Sequence, residues 1–386
     1  MTRDQVKQRL DSIDFLRGLI MVIMALDHVR DYFINIRFDP LDLDQGGATL
    51  FLTRWITHFC APIFVLLAGT SAGLMAATRT KAELSRFLLT RGIWLIVVEA
   101  VVITYGWTFQ SPTNLIILQV IWAIGVSMLV MSILVWLPTW AIATFALTVI
   151  LGHNILDYGL FPAPAQGPAP FWHFLHNQGF TLDLGLPTAS AYPLLPWVGV
   201  MPLGYSLALL YEKPAKERQT FLIRIGLGAV TAFVLLRSLG LYGEPNGFEA
   251  KDNLFHTLLA FVDTTKYPPS LQFLLMTLGP GLLVLAYAER WRGRFINWMV
   301  IFGRVPFFYY VLHIYVIHLA ALLAAELQGV GANALTQAFF SFPPEYGFSL
   351  HFVWLFWLAL VILLFPACKW FAGVKARRKD WWMSYL

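Results

Sequence analysis

Long apolar runs separated by short charged connections recur along the chain from Ile13 to Phe371. About ten of these runs reach the roughly 20 residues that an α-helix needs to cross a hydrocarbon core. The pattern predicts spans at Ile13–Ile34, Leu50–Ala76, Phe87–Thr108, Leu115–Leu137, Trp140–Tyr158, Leu194–Tyr211, Phe221–Tyr242, Ser270–Ala288, Trp298–Leu327 and Leu350–Phe371. The expected fold is all-α: a polytopic integral membrane protein of about ten transmembrane helices, forming one transmembrane domain over residues 1–386. No internal repeat and no soluble domain is visible. Two connections are long. Residues 159–192 are rich in Pro, Gly and aromatic side chains and hold His173, His176 and Asp183; residues 243–269 are polar and lead into Lys266-Tyr267-Pro268-Pro269-Ser270. Loops of that length are either disordered or shaped around a ligand. The aromatic content of the first favours order, as a lid over an outward cavity.

Charge fixes the direction of the spans. Lys and Arg gather before the first span (Arg3, Lys7, Arg9), after the second (Arg79, Lys81, Arg86, Arg91) and after the sixth (Lys213, Lys216, Arg218, Arg224). They gather again after the eighth (Arg290, Arg292, Arg294) and after the tenth (Lys375, Arg377, Arg378, Lys379). Intervening loops are poor in cations and carry acids such as Asp39, Asp42, Glu244 and Asp252. By the positive-inside rule both termini are expected in the cytoplasm, with residues 1–11 and the basic tail 372–386 inside and the two long loops outside. The composition agrees with a membrane protein: 58% of residues are hydrophobic and only 13% charged, against roughly 25% charged in soluble domains. The net charge of +5 belongs to these loops and gives no reason to expect nucleic acid. Cys60 and Cys368 fall in separate apolar segments and suggest no disulfide framework. Neither a cleavable signal peptide nor an organelle-targeting leader is expected from the polar start.

Polar groups inside the spans carry the candidate chemistry, because an ionisable group at a helix centre costs roughly 2.5–3.5 kcal/mol to insert. The first span holds Asp14, Arg17, Asp27, His28 and Asp31. The step from Arg17 to His28 is three helical turns plus about 20°, so the two share a face, about 16 Å apart along the axis. Arg17, Met21, Met24 and His28 should then form one stripe facing protein or water. The bland reading is a buried pair that only sets helix packing. The functional reading is an anion held low by Arg17 and proton chemistry higher up at His28. Asp27 and Asp31 are available to hold the tautomer of His28, although Asp27 points about 100° away and could equally pair with Arg30. Arg54 and His58 share a face of the second span at the outer end, and Tyr309 and His313 share a face of the ninth, above Arg304. Glu99, in mid-span, needs a partner and reads as structural. No metal is expected, because His28, His58, His313 and His318 lack tight ligand spacing, and a di-haem arrangement is no better supported.

The string Ser12-Ile13-Asp14-Phe15-Leu16-Arg17-Gly18 followed by His28 resembles the start of integral-membrane acyltransferases, and within them the heparan-α-glucosaminide N-acetyltransferase catalytic-domain family. Further similarities are His58-Phe59-Cys60-Ala61-Pro62, Leu195-Pro196-Trp197-Val198-Gly199, Lys266-Tyr267-Pro268-Pro269-Ser270 and Gly303-Arg304-Val305-Pro306-Phe307-Phe308-Tyr309-Tyr310. They run from one end of the chain to the other. The resemblance implies a bacterial inner-membrane enzyme that uses cytoplasmic acetyl-CoA as co-substrate to acetylate an amino or hydroxyl group of a sugar or glycan acceptor outside. Against lysosomal members, no luminal domain is expected ahead of the first span, and no His lies between Asn35 and Thr49, where those members are thought to carry a catalytic one. His28 is then the expected base, with Asp27, His58 and His313 as the other catalytic candidates. Arg17, Arg91, Arg304 and Tyr309 are the candidates for binding the coenzyme, and Arg54, Trp55, Lys266 and Tyr267 for binding the acceptor. Direct transfer and an acetyl-enzyme intermediate both stay open, as does the oligomeric state, a homodimer included. The main alternative is a proton-coupled transporter or flippase of a small anionic or glycan substrate, which would be expected to show structural repeats. A non-catalytic subunit is the third reading.

Overall fold

The computed structural model describes residues 3–158, 170–183, 185–337, 342–378 and 380–385. The first part of the long Pro-rich loop, 159–169, lies outside them. Helix α1 (Arg3–Phe33) is the hub of the molecule. It packs against α3 (Cys60–Ala76), α12 (Leu271–Ala288), α13 (Arg294–Arg304), α14 (Pro306–Leu327) and α16 (Leu350–Arg377). Phe15, Ile20, Met21, Ala25, Val29 and Tyr32 of α1 are all buried. This position explains the polar ladder: α1 is enclosed by other helices, so its ionisable groups meet protein where a lipid-facing helix would meet hydrocarbon.

Among the described residues, seven helical segments are long and apolar enough to cross a membrane, so the protein is an all-α membrane protein in broad architecture. Several expected spans take a different form. The second begins earlier, as α2 (Leu43–Trp55), and continues through a 3₁₀ turn at Ile56–Phe59 into α3. The third is α4 (Lys81–Val98), a π-turn at Glu99–Ile103 and α5 (Thr104–Thr108) in one run. The fourth shortens to α6 (Val120–Leu134), because Ile116–Leu118 forms strand β1 instead. Next come α7 (Thr139–Gly152), the short α8 (Pro170–Leu175), α9 (Leu195–Leu207) and α10 (Ala215–Leu239). The long connection 243–269 contains α11 (Leu254–Val262), and α15 (Asn333–Gln337) follows α14.

The ninth expected span is two helices. Pro306 opens α14 at a position where its missing N–H costs nothing, and it excludes the α conformation from the residue before it. Val305 accordingly sits at φ −130°, ψ 47°, and α13 turns away from α14 there. In the first long loop, β2 (Gly179–Asp183) pairs antiparallel with β3 (Pro187–Ser190), and β3 pairs parallel with β1. This small sheet ties the loop back to the segment between α5 and α6, order that the apolar pattern did not show.

Glycine sets the closest helix contacts. A Cβ on Gly18 of α1 would stand 1.8 Å from the carbonyl oxygen of Met299, and one on Gly303 of α13 would stand 1.8 Å from that of Asp14. The two backbones therefore touch, as small residues permit in membrane helix pairs. Gly18→Ala or Gly303→Ala should destabilise the fold by about 1–3 kcal/mol or more, as overpacking does where backbone cannot yield. Gly228→Ala, whose Cβ would meet nothing within 4 Å, is the matched control. Thermal unfolding in detergent checks this, and equal melting temperatures for Gly303→Ala and Gly228→Ala would remove the argument.

Candidate functional site

A cavity of about 340 Å³ runs along α1 on the face that carries Arg17, Met21 and Met24. Its other walls come from α3 (Ala68, Ser71, Met75), α4 (Phe87, Arg91), α6 (Ile121, Met128) and α14 (Phe307, Tyr310). Five cations line it: Arg17, Arg79, Arg91, Arg304 and Lys375. Arg17, Arg91 and Arg304 come together there as the sequence suggested; Arg79, in the turn after α3, and Lys375, near the end of α16, join them from segments that had read only as orientation signals.

The guanidinium of Arg17 is positioned on three sides. Nη1 donates to Asp14 Oδ1 at 2.9 Å and to the Gly303 carbonyl at 3.1 Å, and Nη2 donates to Ser71 Oγ at 2.8 Å. Asp14 also faces Arg304 Nε at 3.6 Å, and Arg304 Nη2 donates to Asp11 at 2.9 Å. Among the described residues two carboxylates, Asp11 and Asp14, contact this cation group, in a partly enclosed space where screening is weak. Phe87 lies under two of the cations, with Arg79 4.6 Å and Arg91 5.9 Å from its ring centre.

Away from these cations the wall becomes apolar and ends at Tyr310. Its ring meets His28 edge to face at 6.2 Å and His313 at 5.6 Å. His28 is part-buried, whereas His313 is fully enclosed. Their rings stack at 4.9 Å, with His28 Nδ1 2.7 Å from His313 Nε2. His313 Nδ1 in turn lies 2.8 Å from the carbonyl oxygen of Tyr309. Trp107 closes the other side of His28 at 4.7 Å.

Asp27 does not orient His28. Its carboxylate meets Arg30 Nη1 at 2.7 Å and Arg54 Nη1 at 2.5 Å, with Lys266 Nζ at 4.0 Å. Asp31, the other acid expected beside His28, pairs with Arg30. Asp27 sits on the helical face about 100° from His28, which directs it to α2 and the Lys266 loop. His58 is buried against Phe273, and neither ring nitrogen has a hydrogen-bond partner among the described residues. Tyr309 also departs from expectation. It stacks on His313 and meets Phe302 edge to face, at 5.0 Å from each, and it is the neighbouring Tyr310 that lines the cavity. Adjacent helical positions differ by about 100°, so a one-residue choice decided which tyrosine faced the space.

The four acceptor candidates gather around the Asp27 cluster. Arg54 and Lys266 contact Asp27, Lys266 Nζ lies 5.1 Å from the Tyr267 ring centre, and Tyr267 approaches Tyr192. Trp55 is at the edge of this group, donating to the Val262 carbonyl at 3.2 Å. In the loop between α11 and Lys266, burial pushes the Asp263 carboxyl up to about 6, with Asp39 adding to the effect. Glu99 has a structural role: its carboxylate accepts the backbone N–H groups of Gln119 and Trp122 at 3.3 and 3.0 Å, satisfying donors at the start of α6.

No curated protein matches the chain. One protein-family model does, the catalytic domain of heparan-alpha-glucosaminide N-acetyltransferase, over residues 9–242. The match takes in Arg17, His28, Arg54, His58 and the α3–α6 wall of the cavity, while Arg304, Tyr310, His313 and Lys375 complete the cavity and the histidine pair from outside it. With well over half its length matched, from α1 to the end of α10, the chain belongs to the heparan-alpha-glucosaminide N-acetyltransferase catalytic family, a family of membrane acetyltransferases.

Proposed function

We propose that this acetyltransferase moves an acetyl group from cytoplasmic acetyl-CoA to an amino or hydroxyl group of a sugar-like acceptor on the outer side of the membrane, with His28 as the base. The observation that carries the reading is one cavity lined by five cations, Arg17, Arg79, Arg91, Arg304 and Lys375, and by Tyr310, whose ring lies 6.2 Å from that of His28, just beyond the lining. Phosphates are the natural partners of clustered guanidinium groups. At about 340 Å³, the cavity lies at the small end of ligand pockets, which run from roughly 300 to 1,000 Å³. That suits an apolar thioester arm laid along Met21, Met24 and Met128, with the nucleotide left at the cationic mouth. The arm then has to span the rise of about 16 Å from Arg17 to His28.

The chemistry follows from the polarity of this path. His28 takes the proton of the acceptor N–H or O–H as the acceptor bonds to the acetyl carbon. The carbon–sulfur bond breaks, and the imidazolium returns its proton to the thiolate sulfur, so no further reactant is needed. The Arg54–Lys266–Tyr267 group, next to Asp27 and one residue from His28 in sequence, is the region from which the acceptor would approach.

Purified protein incubated with acetyl-CoA should release free thiol when acceptor is supplied and should melt at higher temperature with the coenzyme bound. Arg17→Ala should weaken acetyl-CoA binding by roughly 10- to 100-fold, the loss of a hydrogen bond to a charged group, and Arg17→Lys should weaken it less, because it keeps the charge without the planar fork. Calorimetry at fixed salt measures both. Unchanged affinity in the two variants would leave Arg17 as a packing residue of the Asp14 pair.

The direction of transfer has its own check. Cysteine labels near Asp42, Asp183 and Asn246 should react from outside, and labels near Lys81, Arg218 and Arg377 from the cytoplasm. A mixed pattern within either set would overturn the assignment of the cationic cavity to the cytoplasmic side.

A further inference from the structure

We propose that His313 is a positioning residue that fixes the tautomer of His28, so that His28 Nε2 is the atom that accepts the proton. This rests on His28 being the base. The argument starts from a carbonyl oxygen, which has no proton to give. His313 Nδ1 lies 2.8 Å from the Tyr309 carbonyl oxygen, so Nδ1 must carry the hydrogen and donate. A neutral imidazole has one N–H, which leaves His313 Nε2 as a lone pair. That lone pair faces His28 Nδ1 at 2.7 Å, so His28 Nδ1 is the donor. The remaining nitrogen, His28 Nε2, is then unprotonated and basic.

The reverse arrangement would require His313 to be an imidazolium. His313 is fully buried and stacked on Tyr309 at 5.0 Å and 9°, and its ring nitrogens meet His28 and the backbone of Tyr309 and Tyr310. A charge there would have no carboxylate partner, since Asp27 and Asp31 are committed to Arg30 and Arg54. The geometry therefore selects one proton order along the whole Tyr309–His313–His28 chain. When His28 takes the acceptor's proton on Nε2, its Nδ1–H stays on His313; when Nε2 gives that proton to the thiolate sulfur, the starting tautomer returns without a ring flip. His313 thus occupies the place that a carboxylate holds in a hydrolase triad, but as a neutral acceptor supplied from α14, through an ordinary helix carbonyl four residues earlier.

A near-isosteric pair of variants tests this. In His313→Gln the carboxamide oxygen can still accept from His28 Nδ1, and kcat should stay within about threefold of wild type; in His313→Met no comparable acceptor remains, and kcat should fall at least about tenfold, up to the roughly 10²–10⁴-fold loss of the base itself. KM for acetyl-CoA and the melting temperature should change little in both. A merely structural histidine predicts equal losses in the pair, so a Gln variant as slow as the Met variant, or a Met variant with wild-type kcat, overturns the proposal. If the Met variant does not fold, His313→Ala assayed with added imidazole replaces it: recovery of kcat supports the role and absence of recovery overturns it. His28→Ala is measured alongside. Full activity there defeats the base assignment itself, whereas an inactive His28→Ala with insensitive His313 variants defeats only this inference.

Discussion

Replacing His28 by Ala should abolish acetyl transfer while leaving acetyl-CoA binding nearly unchanged. Removal of a general base lowers rates by roughly 10²–10⁴-fold, and nothing in the cationic mouth depends on this side chain. His28 is the part-buried member of its histidine pair, so truncation to Ala removes the contact to His313 and edge contacts to Trp107 and Tyr310 without opening the Asp27 ion cluster. Steady-state rates, coenzyme calorimetry and detergent melting curves on one preparation separate the outcomes. Turnover above about a tenth of wild type would show that another group takes the proton. His58 is the next residue to examine in that event, because both its ring nitrogens are without partners among the described residues.

Asp27→Asn should instead destabilise the fold severely. The carboxylate holds Arg30 and Arg54 at 2.7 and 2.5 Å, with Lys266 close by. Removing one partner of a buried ion pair costs about 3–5 kcal/mol, chiefly because the opposite charge is left buried and uncompensated. Here more than one cation is left so. Melting in detergent is the measurement, and adding Arg54→Met to Asp27→Asn should recover part of the loss by restoring the balance of charge. A stable Asp27→Asn protein with low kcat would reverse the interpretation, making Asp27 a participant in the chemistry and the ion cluster incidental to stability.

The cationic end of the cavity and its tyrosine end differ in how readable they were. Arg17, Arg91 and Arg304 could be chosen in advance because a cation inside or beside an apolar run is costly unless something anionic repays it. Tyr310 could not be told from Tyr309, since that choice depends on the rotation of α14 about its axis, which Pro306 and the break at Val305 set. Arg79 and Lys375 were visible only as orientation charges, because their convergence depends on α16 returning beside the α3–α4 turn. The pairing of His28 with His313 spans most of the sequence, and no local signal links the two.

What the sequence alone determined is what hydrophobicity and charge dictate locally: an all-α membrane architecture, an unusual polar stripe from Arg17 to His28, and the likeness to a family of membrane acetyltransferases. Period and transfer energy suffice for these, because each helix must satisfy its backbone internally and each buried charge stands out against its apolar neighbours. Tertiary structure decided which polar groups meet. Backbone contact at Gly18 and Gly303 brings α13 against α1, and the turn at Val305 sends α14 up beside it. Together they hold His313 against His28 and leave Asp27 to the arginines. A side chain's chemistry is written in its identity, but its partner is set by the rotation and crossing of whole helices, and those are properties of the packed bundle.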